Sequence, residues 1–307
     1  KGWSSTKLRG SGRRLPLLAL GTGGMGGQSA RAVIAFALRA GYRHLDSAVT
    51  YPSFPEELQR GLDESGVPRS EVFISTKVSP DAMGFEATQA LALRLVEEMP
   101  GGYADLCMVH WPDTAEKAPT SAQDPALWSS LERVGTWKAL EAAYDAGVCK
   151  ALGVCNFLVK HLKELLSYAR VPPAVNQIEY SPTAPLADVV DFCRAHGIVI
   201  EAFAWNRLEV LMQEELLELT HRLSPTPTLH RDFAMQVLMR WFMQQGMVPL
   251  FRSERQEVVL QTAEGLLNVP NLTEAQIESL RKPRSDYPWK YYSAAAPWRT
   301  PVLATKG

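Results

Sequence analysis

Four polar side chains sit at, or just after, the ends of short apolar runs between residues 46 and 110. Asp46 closes YRHLD, Tyr51 follows five residues later, Lys77 closes VFISTK and His110 closes LCMVH. A carboxylate, a phenol, an ammonium and an imidazole are the groups that donate, accept and steady protons in catalysis. Each alone carries little weight. An Asp after a strand is commonly a helix cap, and a lone His on an apolar strand is commonly a satisfied core residue. Their joint position, at the ends of consecutive runs, allows them to converge on one small patch.

The elements that must position them alternate along most of the chain. Apolar, strand-like runs are expected at 17–20, 44–46, 72–77, 105–110, 151–155, 174–178, 198–203 and 248–251. Helical periodicity falls between them at 30–40, 55–64, 85–99, 128–146, 160–169, 188–195 and 232–245, with a last stretch at 255–267. Gly41, Gly147, Gly197 and Gly246 closely follow helices, where a left-handed cap favours glycine. Eight strand–helix units predict an α/β fold: one (β/α)8 TIM barrel spanning residues 1–307 as a single domain. The glycines of LALGTGGMGG are wrongly spaced for the G-x-G-x-x-G of an open dinucleotide-binding sheet. Two stretches fall outside the repeat. One is the loop 113–125; the other is the tail 281–307, rich in Tyr, Trp and Pro, expected as a flap over the barrel mouth or a strap along its side.

The 307 residues are 46% hydrophobic and 21% charged, enough apolar material for a large core. Lys and Arg number 32 against 33 Asp and Glu, a net charge of −1, so no field draws the chain to nucleic acid or anionic lipid. Charged residues interrupt every apolar run before it reaches membrane-spanning length. Cys107, Cys149, Cys155 and Cys193 show neither a C-x-x-C pair nor zinc-ligand spacing, and are expected as reduced, mostly buried thiols with no metal. The chain starts at Lys1 and shows no charged leader followed by an apolar stretch. Cytoplasmic residence is expected, with import through a removed presequence left open.

GYRHLDSAVTY, ISTKV, VHWP, ALGVCNF and VNQIEY, in this order and on these runs, resemble the aldo-keto reductases from about Leu15 to Arg255. The resemblance implies an NAD(P)H-dependent reductase of aldehydes or ketones. Asp46, Tyr51, Lys77 and His110 match the family's catalytic tetrad. In that scheme Tyr51 is the proton donor, Lys77 lowers its pKa, Asp46 holds Lys77 charged, and His110 hydrogen-bonds the carbonyl oxygen. Asn156 and Gln177 fall where the family binds the nicotinamide carboxamide, and Phe203 where it stacks an aromatic ring. Arg252, Ser253 and Arg255 fall where NADPH-specific members hold the 2′-phosphate, so NADPH is expected over NADH. Gly23, where the family often has Trp, is expected to open the substrate pocket, with Trp111 as a wall.

Several positions depart from the family pattern. Cys155 replaces the usual Ser, PSFPEE replaces a Gly-Asn-Glu run after Tyr51, and Val258 takes the place of an Arg. Ala204, Trp205, Asn206 and Arg207 replace Ser-Pro-Leu-Gly in the loop that wraps the pyrophosphate. The rival expectation is a nucleotide-binding barrel serving as a regulatory or structural subunit; the complete tetrad argues against it. The expected partner is a small aldehyde or ketone, and the assembly a monomer or small oligomer.

Overall fold

A computed structural model describes residues 5–113, 125–184, 186–224 and 231–284, with the side chains of 125–129 left aside. A hairpin, β1 (Ser5–Lys7) and β2 (Arg14–Pro16), opens the chain. Then come β3 (Ala19–Gly21), α1 (Gly27–Arg39), β4 (His44–Asp46), α2 (Glu56–Ser65), β5 (Phe73–Val78), α3 (Phe85–Glu98), β6 (Leu106–Val109) and α4 (Pro125–Asp145). The second half runs β7 (Leu152–Cys155), α5 (Val159–Tyr168), β8 (Val175–Glu179), α6 (Ala187–Ala195), β9 (Val199–Phe203), α7 (Leu208–Leu211), α8 (Glu214–Leu223), α9 (Arg231–Gln244) and β10 (Val248–Phe251). Two helices, α10 (Gln256–Asn268) and α11 (Glu274–Leu280), end the described chain. Strands β3 to β10 pair in parallel, neighbour to neighbour, and β10 returns to β3 to close the barrel. The expected TIM barrel and each expected strand are therefore present, with ends moved by a residue or two.

Strand side chains alternate between two faces, and here the alternation separates barrel interior from helix layer. Phe73, Leu106, Met108, Val175, Val248 and Leu250 pack together inside the barrel. Their neighbours Ile74, Cys107, Val109, Ile178, Ile200 and Phe251 face the helices. The same parity sends His44 and Asp46, Ser75 and Lys77, Gln177, and Glu201 inward. Gly153 also faces in. A Cβ there would lie 3.0 Å from the Val175 carbonyl and 3.1 Å from Met108, so glycine leaves the room that Leu106 and Met108 fill.

The opening hairpin, which sequence periodicity did not predict, covers the N-terminal end of the barrel. Leu8 and Leu15 join the interior cluster. Arg13 ion-pairs with the buried Asp105, which also takes Arg69 at 2.9 Å and the Ile74 amide at 3.0 Å. Helices α7, α8 and α11 were likewise not expected. The tail's aromatic stretch, 285–307, and most of the loop 113–125 lie outside the described residues. Among the described residues, no helix is long and apolar enough to cross a membrane.

The cysteine expectation needs correction. Cys107 on β6 and Cys149, just before β7, form a disulfide with Cα atoms 5.7 Å apart. Cys155 and Cys193 are free and buried, as expected. Cys107 and Cys149 carry no spacing signature because barrel order, rather than sequence distance, brings adjacent strands together. In the chain-entropy model, a cross-link spanning 42 residues stabilises the fold by about 4 kcal/mol. We therefore expect urea unfolding of the wild type to move to lower concentration when reductant is added. The Cys107→Ala/Cys149→Ala variant should unfold at that lower midpoint with or without reductant. Equal midpoints for oxidised wild type and variant would show that the bond contributes nothing.

Candidate active site

The C-terminal ends of the eight barrel strands, β3 to β10, surround a cleft of about 950 Å3 at the mouth of the barrel. Asp46, Tyr51, His110, Trp111, Asn156, Gln177, Phe203, Gly23 and Arg252 all line it. Lys77 lies just beneath, buried, with its ammonium bound to both Asp46 oxygens at 2.7 and 2.9 Å and to the Ser47 carbonyl at 2.9 Å. Nζ also lies 3.3 Å from the Tyr51 hydroxyl. Asp46 Oδ1 further accepts from Ser75 Oγ at 2.8 Å and Gln177 Nε2 at 2.9 Å. So complete a shell is what a buried ion pair needs, since neither charge keeps its hydration.

Electrostatics follows from this packing. Burial opposes charge on Asp46, yet the Lys77 ammonium and the donors of Gln177 and Ser75 bring its pKa below the usual carboxylate range. Burial opposes charge on Lys77 as well, but Asp46 holds it protonated well above an ordinary amine. For Tyr51 the outcome differs from the sequence expectation of a lowered pKa. Burial outweighs the pull of Lys77, whose charge is already matched by Asp46, and the phenol rises to about 12. Tyr51 thus holds its proton firmly at neutral pH.

The surroundings fix the phenol's position. Its ring meets His110 edge-on at 6.2 Å, and His110 stacks beside Trp111 at 6.2 Å. On the other side, a Cβ at Gly23 would lie 3.3 Å from Tyr51 Cζ. Gly23 therefore lets the phenol pack directly against backbone. Arg252 Nε donates to the Gly23 carbonyl at 2.6 Å, and its Nη2 to Glu254 at 2.7 Å. Ser253 and Arg255 stand outside the cleft. Ser253 Oγ accepts from the Arg255 amide at 3.1 Å, and the exposed Arg255 side chain is 3.9 Å from Glu257 at the start of α10.

Next to the phenol's cluster lies a wall that fits a primary amide. Asn156 Nδ2 donates to the His110 carbonyl at 3.0 Å and to Cys155 Sγ at 3.1 Å. Asn156 Oδ1 is buried with no hydrogen bond among the described residues, and it belongs to a cleft-lining side chain. A buried acceptor without a donor is costly, so a ligand N–H is its natural complement. Asn156 and Ala204 both hold positive φ, 65° and 56°. Backbone strain of this kind, unusual for alanine, tends to gather at binding sites.

The divergent loop after β9 splits its roles. Trp205 is buried, with Nε1 donating to the Leu250 carbonyl at 3.0 Å, and so anchors the loop to β10. Asn206 and Arg207 line the cleft, Arg207 lying 3.3 Å from the buried Glu179. Sequence reasoning did not single out Thr50, Ser79 and Asp81 on the cleft wall, or Ser75, His44 and Glu201 beneath it. For Ser75, His44 and Glu201 a signal existed: each stands two residues before an inward-facing site residue.

A family model described as Aldo/keto reductase family matches residues 17–209. The chain belongs to the aldo/keto reductase family. It is 34% identical over 238 residues to a glyoxal reductase of Bacillus subtilis, covering 78% of each protein. It is 36% identical over 242 residues to a 9,11-endoperoxide prostaglandin H2 reductase of Trypanosoma cruzi, again 78% of each. Among solved structures, an aldo-keto reductase from a Medee basin deep-sea metagenome library superposes with a TM-score of 0.74 at 28% identity, covering 91% of this chain and 94% of that one. The barrel of this chain is thus shared with a solved structure of the aldo/keto reductase family.

The buried ion pair at this family member's site gives a stability test. Lys77→Met strands a carboxylate and Asp46→Asn strands an ammonium, so each should cost ~3–5 kcal/mol in urea unfolding. The double variant, with no charge left to strand, should be clearly more stable than the sum of the two losses predicts. Strictly additive losses would mean that the pair is not a coupled unit.

Proposed function

We propose that this protein reduces small aldehydes or ketones to alcohols, with NADPH as the hydride donor. The observation that carries this reading is the Tyr51 hydroxyl on the cleft wall, 3.3 Å from an ammonium that is itself locked to Asp46. Bound NADPH supplies the hydride to the carbonyl carbon. Tyr51 gives its proton to the carbonyl oxygen. With its pKa at about 12, the phenol is protonated before reaction, and an alkoxide is the stronger base, so the transfer runs downhill. Lys77 then steadies the phenolate that remains, and Asp46 keeps Lys77 charged throughout. His110 hydrogen-bonds and orients the carbonyl oxygen.

Asn156 and Gln177 would hold the carboxamide in this scheme, and Phe203 would offer the nicotinamide an aromatic face. The orphaned Asn156 Oδ1 supports that fit. Gly23 and Trp111 contact the substrate, with Thr50, Ser79 and Asp81 giving the same wall a polar side. Arg252, Ser253 and Arg255 take the 2′-phosphate end. Of these, Arg255 is the more accessible, at the start of α10 where backbone amides favour an anion.

Tyr51→Phe should keep the fold and NADPH binding while hydride transfer in single-turnover stopped flow drops by ~10²–10⁴. His110→Phe should also slow that step, and the double variant should lose far less than the product of the two, since both groups act on one oxygen. Near-wild-type transfer in Tyr51→Phe removes it as the acid.

The arginines predict a second pattern. By fluorescence titration, Arg255→Ala should weaken NADPH about tenfold or more and leave NADH unchanged, the loss expected for one charge-assisted contact. Arg252→Ala should weaken both dinucleotides, because it also releases the Gly23 loop. Equal wild-type affinity for NADPH and NADH would refute the phosphate assignment.

A further inference from the structure

Beneath the cleft, inside the barrel, lies a second carboxyl group that the proposed reaction does not use. Glu201 on β9 is fully buried, two residues before Phe203 and therefore on the same inward face. Its Oε2 accepts from Gln177 Nε2 at 2.8 Å, while Asp46 Oδ1 accepts from the same nitrogen at 2.9 Å. Both hydrogens of the Gln177 amide are thereby engaged by carboxyl oxygens from β4 and β9. The amide has one remaining polar atom. Gln177 Oε1 meets the Cys155 thiol at 3.6 Å, a weak donor. Turning the amide over would set Oε1 against the Asp46 carboxylate and withdraw the N–H that Glu201 accepts, so its orientation is determined by its partners.

We infer that Glu201 is a positioning residue: together with Asp46 it clamps the Gln177 amide so that Oε1 is presented as a hydrogen-bond acceptor toward the cleft. The neighbouring Asn156 is fixed in the same sense, since its Nδ2 is held by the His110 carbonyl and Cys155. Two carbonyl oxygens, Gln177 Oε1 and Asn156 Oδ1, then face one ligand. That pair selects a ligand group with N–H donors, a primary carboxamide, and rejects a carboxylate, which only accepts. This inference rests on the reading of the cleft as a nicotinamide site.

The charges around Glu201 allow it to act without disturbing the ion pair. Facing it are His44 and Asp46 from β4, Lys77 from β5, Cys155 from β7 and Gln177 from β8. Burial, followed by the nearby Asp46 charge, pushes Glu201 up to about 8. His44, whose Nε2 lies 3.7 Å from Glu201 Oε1, is driven down to about 4 by burial. At neutral pH the acid and the imidazole are both uncharged. A neutral Glu201 accepts from Gln177 without adding a second anion beside Asp46.

The test compares binding of NADP+ with that of its analogue carrying a nicotinic acid ring, identical except for a carboxylate in place of the carboxamide. Isothermal titration of the wild-type protein should favour NADP+ on the order of a hundredfold, the value of two hydrogen bonds lost. In Glu201→Met the clamp loses one acceptor, Gln177 can turn its N–H toward the ligand, and the ratio should fall to about tenfold or less. Glu201→Gln should restore the wild-type ratio, because its amide oxygen can still accept from Gln177 while its Nε2 faces His44. A purely structural role for Glu201 would weaken both ligands together and leave the ratio unchanged, and that outcome overturns the inference. A wild-type protein that binds neither dinucleotide overturns the nicotinamide reading as well, so the two failures are distinguishable.

Should Glu201→Met not fold, the wild type still decides the matter by nuclear magnetic resonance. The Gln177 side-chain N–H signals, assigned through their shift in Glu201→Gln, should exchange slowly with solvent and stay in place when NADP+ is added. Movement of either signal into a new hydrogen bond with the ligand overturns the inference. Stability against pH gives a companion readout. The folded state keeps a proton on Glu201 that the unfolded chain releases near its ordinary value of 4.5. Glu201's contribution is thus full below about pH 4.5 and is lost as pH rises toward 8. Glu201→Gln should remove that part of the slope.

Discussion

A cation and an anion taken out of water together govern the architecture of this site. Lys77 and Asp46 lie on neighbouring strands, at the mouth end of the β4–β5 ladder, and are buried where neither retains hydration. Such a pair persists only if nearly every lone pair and proton around it is satisfied. That requirement draws in Ser75, the Ser47 carbonyl and Gln177, and through Gln177 it reaches Glu201 on the far side of the barrel. The same pair sets the phenol's character. Because Asp46 matches most of the Lys77 charge, Tyr51 feels burial more strongly than the ammonium and remains a protonated acid.

Most of this was legible in the sequence because one rule, alternation with period two, operates along every barrel strand. Runs such as VFISTK and LCMVH reveal where a strand ends and which polar group stands at its mouth. The rule also extends downward. His44, Ser75 and Glu201 are each two residues before a recognised site residue, so the polar layer under the cleft was encoded in the same pattern. These inner positions sit within apolar runs and carry no turn or cap signal, so they stand out only once the inward parity of the strand is known.

Other features depend on distances that periodicity does not encode. Cys107 and Cys149 meet because β6 and β7 are adjacent in the barrel, and nothing in the local sequence around either cysteine records that adjacency. The hairpin of β1 and β2 has strands of three residues each, too short for a pattern to emerge, and it is held by Arg13 reaching Asp105. The net direction of the Tyr51 pKa likewise follows from how fully Lys77 is matched, a matter of ångströms within a folded shell.

The bond between Arg252 and the Gly23 carbonyl spans the seam where the last barrel strand meets the first. It joins groups 229 positions apart in sequence, so, like the β3–β10 strand pairs beside it, it closes a loop of nearly the whole barrel at a high entropy cost. Gly23 is also the backbone against which the Tyr51 ring rests. The phenol's seat is therefore finished by one of the long-range contacts that close the barrel. An incompletely closed chain, still emerging from synthesis or partly unfolded, contains every polar group of the site yet lacks the surface that holds its acid in place.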